Sequence, residues 1–169
     1  MRKTIIGSVL ALALMIGFVP VSGAEMAKEG SSTGTYYYNC SRDTAPIDEN
    51  RAVAAYECVG AMVSDFGEGP LHNTSTRNFG VIYFERGVGR LEGYVISTDP
   101  DGDKTVVEIR EGHILPPPIA SSVTGNFIGG TEKFEGITGT LEYKQWYVKP
   151  PGETTGQDFA KIKCTWKLP

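Results

Sequence analysis

The chain has 169 residues, with 16 Lys and Arg against 20 Asp and Glu, for a formal net charge of −4. This length fits one domain, and the acidic balance gives no basic surface for phosphates, so we expect no nucleic-acid partner. Glycine is frequent, at 21 residues, which argues against long helices and for a chain with many turns.

The first 24 residues have the organisation of a secretory signal peptide. Arg2 and Lys3 precede an apolar stretch, 5–19, and the small residues Ser22-Gly23-Ala24 follow it. This stretch is shorter than the ~20 apolar residues that a membrane-spanning helix needs. We therefore predict cleavage after Ala24, no membrane span, and a mature acidic protein that is periplasmic or secreted.

The rest of the chain has the pattern of a β-protein. Residues 25–32 are polar and small, and we expect them to form a flexible tail before one domain over 33–169. Eight segments of that domain have the composition or alternation of strands. They are Thr33–Cys40, Ala52–Val63, Phe79–Arg86, Arg90–Thr98, Lys104–Glu111, Ser121–Ile128, Thr138–Val148 and Phe159–Leu168.

Turn signals separate these segments. Gly87-Val88-Gly89 forms a short hairpin connection, and in 99–103 Pro100 presets φ while Gly102 can adopt a left-handed conformation. The proline run 116–118 is a loop because it cannot donate ladder hydrogen bonds. Eight antiparallel strands with short connections predict an all-β fold, either a single closed barrel, which we favour, or a two-sheet sandwich.

Residues 48–63 allow two interpretations. As a helix, the segment would begin at Asp48, with Ala55, Val59, Met62 and Val63 on one face. As a strand, alternate residues share a face, namely Ala52, Ala54, Tyr56, Cys58, Gly60 and Met62. We favour the strand because the rest of the chain has β character.

The three cysteines, Cys40, Cys58 and Cys164, allow one disulfide in an oxidising compartment, and all three pairings stay open. The chain has no CxxC motif and only two histidines, His72 and His113. We therefore expect no metal site and no cofactor. Three aspartates in 99–103 could offer oxygens to calcium, but their spacing departs from an EF-hand loop and favours a hairpin turn.

The segment Gly129–Thr140 (GGTEKFEGITGT) carries a motif of a known group. It resembles the G-G-T-x-x-[FY]-x-G-x-x-G hairpin of the allene oxide cyclase-like and dirigent-like β-barrels. Gly93-Tyr94, followed by 99–104, is similar to segments in exported bacterial members of that group. The resemblance implies a barrel over most of the mature chain and places Phe134 where it can point inward as a plug. It supplies no catalytic residue.

Candidate site residues follow from this barrel. A strand glutamate inside an apolar barrel would have a raised pKa and could move a proton. Glu108 is the first candidate, with Arg110 on the same face to hold its carboxylate. For ligand binding we predict aromatic side chains, which can line a cavity. They are Tyr83, Tyr94, Phe127, Phe134 and Trp146.

Three functions remain open on the sequence. We favour an exported barrel that holds a small apolar or aromatic ligand in its interior, because an eight-stranded barrel is just wide enough for one. The alternatives are a cyclase or isomerase acting on a lipophilic substrate, and an envelope structural protein with a filled barrel. Apolar side chains on both faces of several strands also suggest a homo-oligomer.

Overall fold

The computed structural model describes residues 26–116, 119–149 and 155–169. These residues form eight strands and one 3-10 helix, Glu132–Phe134. The strands are β1 Glu29–Pro46, β2 Arg51–Ser64, β3 Thr74–Glu85, β4 Val88–Thr98, β5 Lys104–Ile114, β6 Ile119–Gly130, β7 Thr138–Lys149 and β8 Thr155–Lys167. The predicted signal peptide, 1–24, lies outside the described residues.

The strands close into one antiparallel barrel. Each strand pairs with the next along the chain, and β8 pairs with β1, which closes the sheet. The predicted all-β closed barrel is confirmed, and the two-sheet sandwich is wrong. Within the described ranges no helix has the length and apolar character needed to cross a membrane.

Several strands are longer than the sequence pattern indicated. β1 begins at Glu29, and the segment Glu29–Ser32, expected in a flexible tail, pairs with the end of β8. β3 begins at Thr74 and β8 at Thr155, each several residues before the predicted start. These extensions bring additional side chains onto the inner surface of the barrel.

The ambiguous segment is a strand. β2 places Ala54, Cys58 and Met62 in the interior, as the alternating pattern predicted. Asp48, the expected helix start, lies instead in the turn between β1 and β2, where its carboxylate accepts hydrogen bonds from the Asn50 amide and the Arg51 guanidinium. The strand is favoured because its inward residues complete the core between β1 and β3.

The interior is packed with side chains from alternate positions of all eight strands. Its middle holds Tyr36, Tyr38, Met62 and Tyr143, each almost wholly buried. Where β3 and β4 meet, Gly80 lies opposite Gly93, and a Cβ on either would clash with the neighbouring strand's carbonyl. These two glycines therefore permit the close strand approach at this point of the barrel wall.

Both predicted hairpin turns are present, but the first is shifted: Arg86, expected in the strand, belongs to the turn, and Val88 and Gly89 begin β4. Arg86 and Gly87 have φ of 49° and 81° and connect β3 to β4, and Gly102 has φ of 96° between β4 and β5. The positive φ of Gly102 lets the Asp99 amide donate to the Asp103 carbonyl at 2.9 Å. The aspartates of this turn contact an amine from the chain: Lys133 Nζ lies 2.5 Å from Asp99 and 2.7 Å from Asp101.

The two ends of the barrel differ in chemistry. The first, called here the apolar end, is defined by Leu71, Phe134, Ile137 and Trp166, which fill the bore and are at most 6% exposed. Trp166 Nε1 donates to the Ala27 carbonyl at 3.0 Å, so its polar atom is satisfied as well. The prediction that Phe134 points into the barrel as a plug is confirmed. The opposite end holds the candidate site.

Candidate functional site at the polar end of the barrel

The opposite end, called here the polar end, contains a cavity of about 70 Å³. Apolar side chains of Ile82, Leu91 and Ile114 line one side of it. The other side is polar, with Arg42, Tyr56, Asn78, Ser121, Tyr143, Gln145, Tyr147 and Asp158, and the disulfide Cys40–Cys58 lies between these groups. An apolar wall facing a few convergent polar groups is typical of small-molecule sites.

Asp158 is the buried carboxylate of this cavity. It lies on β8 two residues before Ala160, on the inward face, and it is only 6% exposed. Its Oδ2 accepts a hydrogen bond from Gln145 Nε2 at 2.6 Å, while its Oδ1 accepts none from the described residues. A buried carboxylate oxygen without a partner is costly, because the lost hydration is not replaced.

Burial raises the pKa of Asp158 to about 6, and the hydrogen bond from Gln145 opposes part of that rise. Around pH 6 the group therefore exists both as carboxylate and as acid, and at pH 7 an appreciable minority is still protonated. A carboxyl group with a pKa in this range can both accept and donate a proton near neutral pH. An exposed aspartate is almost fully ionised there and is a poor proton donor.

A short hydrogen-bond chain positions this carboxylate. Ser121 Oγ on β6 donates to Gln145 Oε1 on β7 at 3.1 Å, and Gln145 in turn donates to Asp158 on β8. Three neighbouring strands therefore supply one residue each, and the barrel pairing holds them in order. These hydrogen bonds use Asp158 Oδ2 and leave Oδ1 without a partner among the described residues.

Arg42 is the charged donor on the same cavity. Its guanidinium carbon lies 5.8 Å from the centre of the Phe84 ring, and its Nε is buried without a hydrogen-bond acceptor among the described residues. Tyr147 is near both charged groups, since burial and the negative charge of Asp158 raise its pKa while Arg42 acts to lower it. The polar end thus offers a free donor and a free acceptor.

A second hydrogen-bond chain lies deeper in the bore. Tyr56 donates from its hydroxyl to Asn78 Oδ1 at 3.2 Å, and Asn78 Nδ2 donates to the Tyr143 hydroxyl at 2.8 Å. Burial raises the pKa of both tyrosines, so both stay protonated. These satisfied groups separate the cavity from the packed middle of the barrel.

The disulfide joins neighbouring strands, with Cys40 on β1 opposite Cys58 on β2. Of the three pairings that the sequence left open, the structure has this one, and Cys164 is the free, buried cysteine. The sulfur atoms of Cys40 and Cys58 lie within 4.8 Å of an Asp158 oxygen. In the oxidised protein the two sulfurs bind each other and offer no thiolate to a metal.

The predicted proton-transfer pair lies outside the bore. Glu108 and Arg110 are on β5 and form an ion pair at 2.6 Å, with side chains 30% and 57% exposed. The interior positions on either side of Glu108 are Val107 and Ile109. The structure therefore places Glu108 on the outer surface, and a catalytic role for the pair stays a prediction.

The predicted aromatic residues are dispersed. Tyr83 and Tyr94 are on the outer surface, each 41% exposed, and Trp146 stacks there on Phe159 with ring centres 5.3 Å apart. Phe127 and Phe134 are inside, but both belong to the packed core. None of the five lines the polar-end cavity among the described residues, and a ligand contact by any of them stays a prediction.

The residues that do line the cavity were missed for one common reason. The predicted strands ended at Cys40 and began at Phe79 and Phe159, so that Arg42, Asn78 and Asp158 fell just outside them. The signal was present, because continuing the alternation of Tyr36, Tyr38 and Cys40 leads to Arg42. The same extension leads from Ile162 and Ala160 to Asp158.

Neither a protein-family model nor a curated protein matches this sequence. Comparison with solved structures finds a pterocarpan synthase dirigent protein with a TM-score of 0.49 and 12% identity, over 83% of this chain and 86% of that one. By its name that protein belongs to the group that Gly129–Thr140 resembles. Similarity at this level carries no argument about activity, and the barrel assignment rests on the strand pairing of this chain.

Proposed function

We propose that the protein binds a small, mostly apolar molecule in the cavity beside Asp158, with the polar group of that molecule inside the cavity. The observation that carries the proposal is a buried carboxylate with an oxygen free to accept a hydrogen bond, facing an apolar wall. Arg42 adds a buried donor without an acceptor. A ligand whose polar end both donates and accepts would satisfy both groups, while Ile82 and Leu91 contact its apolar part.

The size of the cavity limits how such a ligand binds. About 70 Å³ is well below the ~300 Å³ of a typical ligand pocket. We therefore propose that the polar group of the ligand enters the bore, and that the rest of the ligand lies at the rim of the barrel. This arrangement places the recognised group against the two unpartnered atoms, so selectivity depends on the end of the ligand.

A second function, proton transfer in a cyclase or isomerase, is favoured by one observation. The pKa of Asp158, raised by burial to about 6, suits a group that both takes and gives a proton near neutral pH. Asp158 replaces Glu108 as the first candidate for that role because it lies inside the bore. The substrate would be an apolar molecule with an acidic C–H or O–H next to the carboxylate.

We also propose that the protein acts outside the cytoplasm, in the periplasm or as a secreted protein, after cleavage at Ala24. The disulfide Cys40–Cys58 supports an oxidising compartment. Exposed apolar residues on the outer surface, among them Tyr37, Val59 and Val63, support the proposed homo-oligomer. Sizing of the purified protein by light scattering tests the oligomer, and a monomer would contradict it.

Methyl NMR tests the binding proposal. A set of small alicyclic and aromatic molecules, each with a carboxamide, a hydroxyl or no polar group, is added to oxidised protein labelled at Ile and Leu methyls. We expect shifts at Ile82, Leu91 and Ile114 with the polar compounds, and none at Ile137, the internal control at the apolar end. Asp158→Asn and Arg42→Met should weaken binding about tenfold.

Two results would contradict this proposal. One is an absence of shifts at the three cavity methyls with every compound. The other is equal binding by the compounds with and without a polar group, or by the wild type and both variants. The proton-transfer alternative requires more than binding, namely exchange of a ligand C–H for deuterium that depends on Asp158 and is lost in Asp158→Asn.

A further inference from the structure

The polar-end cavity also contains three side chains that could bind a metal ion if the disulfide were reduced. Cys40, Cys58 and Asp158 come from β1, β2 and β8, and their sulfur and carboxylate atoms lie within 4.8 Å of one another. Cys58 and Asp158 are more than nine-tenths buried, and Asp158 Oδ1 has no hydrogen-bond partner among the described residues. Two sulfurs and one carboxylate suit a thiophilic divalent cation.

We infer that reduction of the Cys40–Cys58 disulfide creates a binding site for a zinc-type divalent cation, with Asp158 as the third ligand. A dithiol supplies two electrons and two protons: the protein disulfide becomes two thiols, and the dithiol becomes a cyclic disulfide. Binding of the cation then displaces the two thiol protons. The site holds two thiolates and one carboxylate, and a water molecule can complete the tetrahedron.

The surroundings of the three side chains fit this chemistry. Gly156 lies opposite Cys40 on β8, so no side chain from that position competes for the space beside the sulfur. Gln145 Nε2 is 3.7 Å from the Cys40 sulfur and 2.6 Å from Asp158, and it can donate to ligand atoms on both. Hydrogen bonds of this kind orient metal ligands and raise affinity.

Sequence spacing gives no sign of the site. Its ligands come from three strands, and the barrel closure between β1 and β8 brings Asp158 to the cysteines. The sequence-based expectation of no metal site rested on the missing CxxC motif and the two histidines. The inferred site departs from that expectation, because its third ligand is a carboxylate and its two sulfurs are bonded to each other until they are reduced. The inferred site exists only when the Cys40–Cys58 disulfide is reduced.

Cobalt titration tests the inference. The disulfide is reduced without oxygen by a water-soluble phosphine, which takes up the oxygen of water as phosphine oxide and binds the metal weakly compared with a dithiol. Co²⁺ is then added, and zinc affinity is measured by competition. We use Cys164→Ser as the background, because it removes the remaining thiol. The expected result is one cobalt per chain with thiolate-to-cobalt absorption, and at least tenfold weaker binding in Asp158→Asn.

Oxidised protein of the same background is the matched control, since it has the same fold and no thiolate. It should show no thiolate-to-cobalt absorption. Circular dichroism before metal addition checks that the reduced barrel keeps its strand signal. The inference is overturned if the reduced barrel unfolds, if no thiolate absorption develops, or if Asp158→Asn binds cobalt as tightly as the background. Ligand binding is tested on oxidised protein, so the two proposals fail separately.

Discussion

The two ends of the barrel are built from the same strands by the same alternation, yet they use their inward positions differently. At the apolar end Leu71, Phe134 and Ile137 are almost wholly buried, and the one polar atom of Trp166 is hydrogen-bonded. At the polar end the buried atoms without partners, Arg42 Nε and Asp158 Oδ1, belong to charged groups. Elsewhere in the described bore such atoms are the neutral hydroxyls of Tyr36, Tyr38 and Thr105. The barrel could close with either kind of packing at either end.

The difference separates groups that stabilise the fold from groups that reduce its stability. Apolar packing with satisfied polar atoms contributes stability, whereas a buried charge without a full set of partners reduces it. In the proposed function this cost persists because Asp158 and Arg42 recognise a ligand or, in the case of Asp158, move a proton. The comparison predicts opposite effects of substitution at the two ends.

The largest expected effect is at the apolar end. Phe134→Ala removes a ring that is 3% exposed and leaves a cavity, so we expect a loss of about 4 kcal/mol in the free energy of unfolding. Phe66→Ala, at a side chain that is 74% exposed, should change stability by less than about 0.5 kcal/mol. Urea denaturation measures both variants. Equal, small losses would mean that Phe134 does not close the barrel.

At the polar end the corresponding substitution should stabilise. The pKa of Asp158 is about 6 in the folded protein and near 4 for an exposed aspartate. Between those pH values the folded state binds more protons than the unfolded state, so wild-type stability falls as pH rises. Asp158→Asn lacks this titration, and its stability relative to wild type should rise from pH 4 to pH 7 by up to about 3 kcal/mol.

Urea denaturation at several pH values provides the measurement for Asp158, with Asp43→Asn as the control at an exposed aspartate. The control should follow the wild type at every pH. A constant difference between Asp158→Asn and wild type from pH 4 to pH 7 would show that burial does not shift the carboxyl group.

The smallest expected effect is at the partly exposed ion cluster outside the apolar end. Lys133 contacts Asp99 and Asp101, and its side chain is 42% exposed. Burial acts to raise the pKa of Asp99, but hydrogen bonds from Lys133 and from backbone amides outweigh it and lower the pKa. Lys133→Met should cost about 1 kcal/mol, and less in high salt.

Thermal denaturation at low and high salt measures the Lys133 effect. Lys104→Met, at an exposed lysine that begins β5, is the control and should have little effect. A loss in Lys133→Met that is independent of salt would assign the role of this residue to packing rather than to charge.

The sequence predicted the architecture well because alternation and turn signals are local. Gly102, Gly87 and the alternating β2 segment each specified their conformation through residues near them in the chain. The site was not predicted, because strand ends are weakly encoded: Arg42 and Asp158 are polar, and polar residues at a strand end resemble a loop. Their burial depends on barrel closure between β1 and β8, which no local pattern specifies.

The pairing of Cys40 with Cys58 shows the same limit. Three pairings were compatible with the sequence, and the choice follows from the register of β1 against β2. Glu108 illustrates the same limit on the choice of face, since a strand glutamate can face either side. The neighbouring Val107 and Ile109 occupy the interior, which leaves Glu108 outside.

Native mass spectrometry of the oxidised protein, purified from its own host, tests most directly whether the polar end is a ligand site. Wild type, Asp158→Asn and Lys133→Met are compared, the last as a control at a half-exposed side chain of the opposite end. We expect a bound small molecule on wild type and on Lys133→Met, and its loss from Asp158→Asn. Bare protein in all three, or the same adduct on all three, would contradict this expectation.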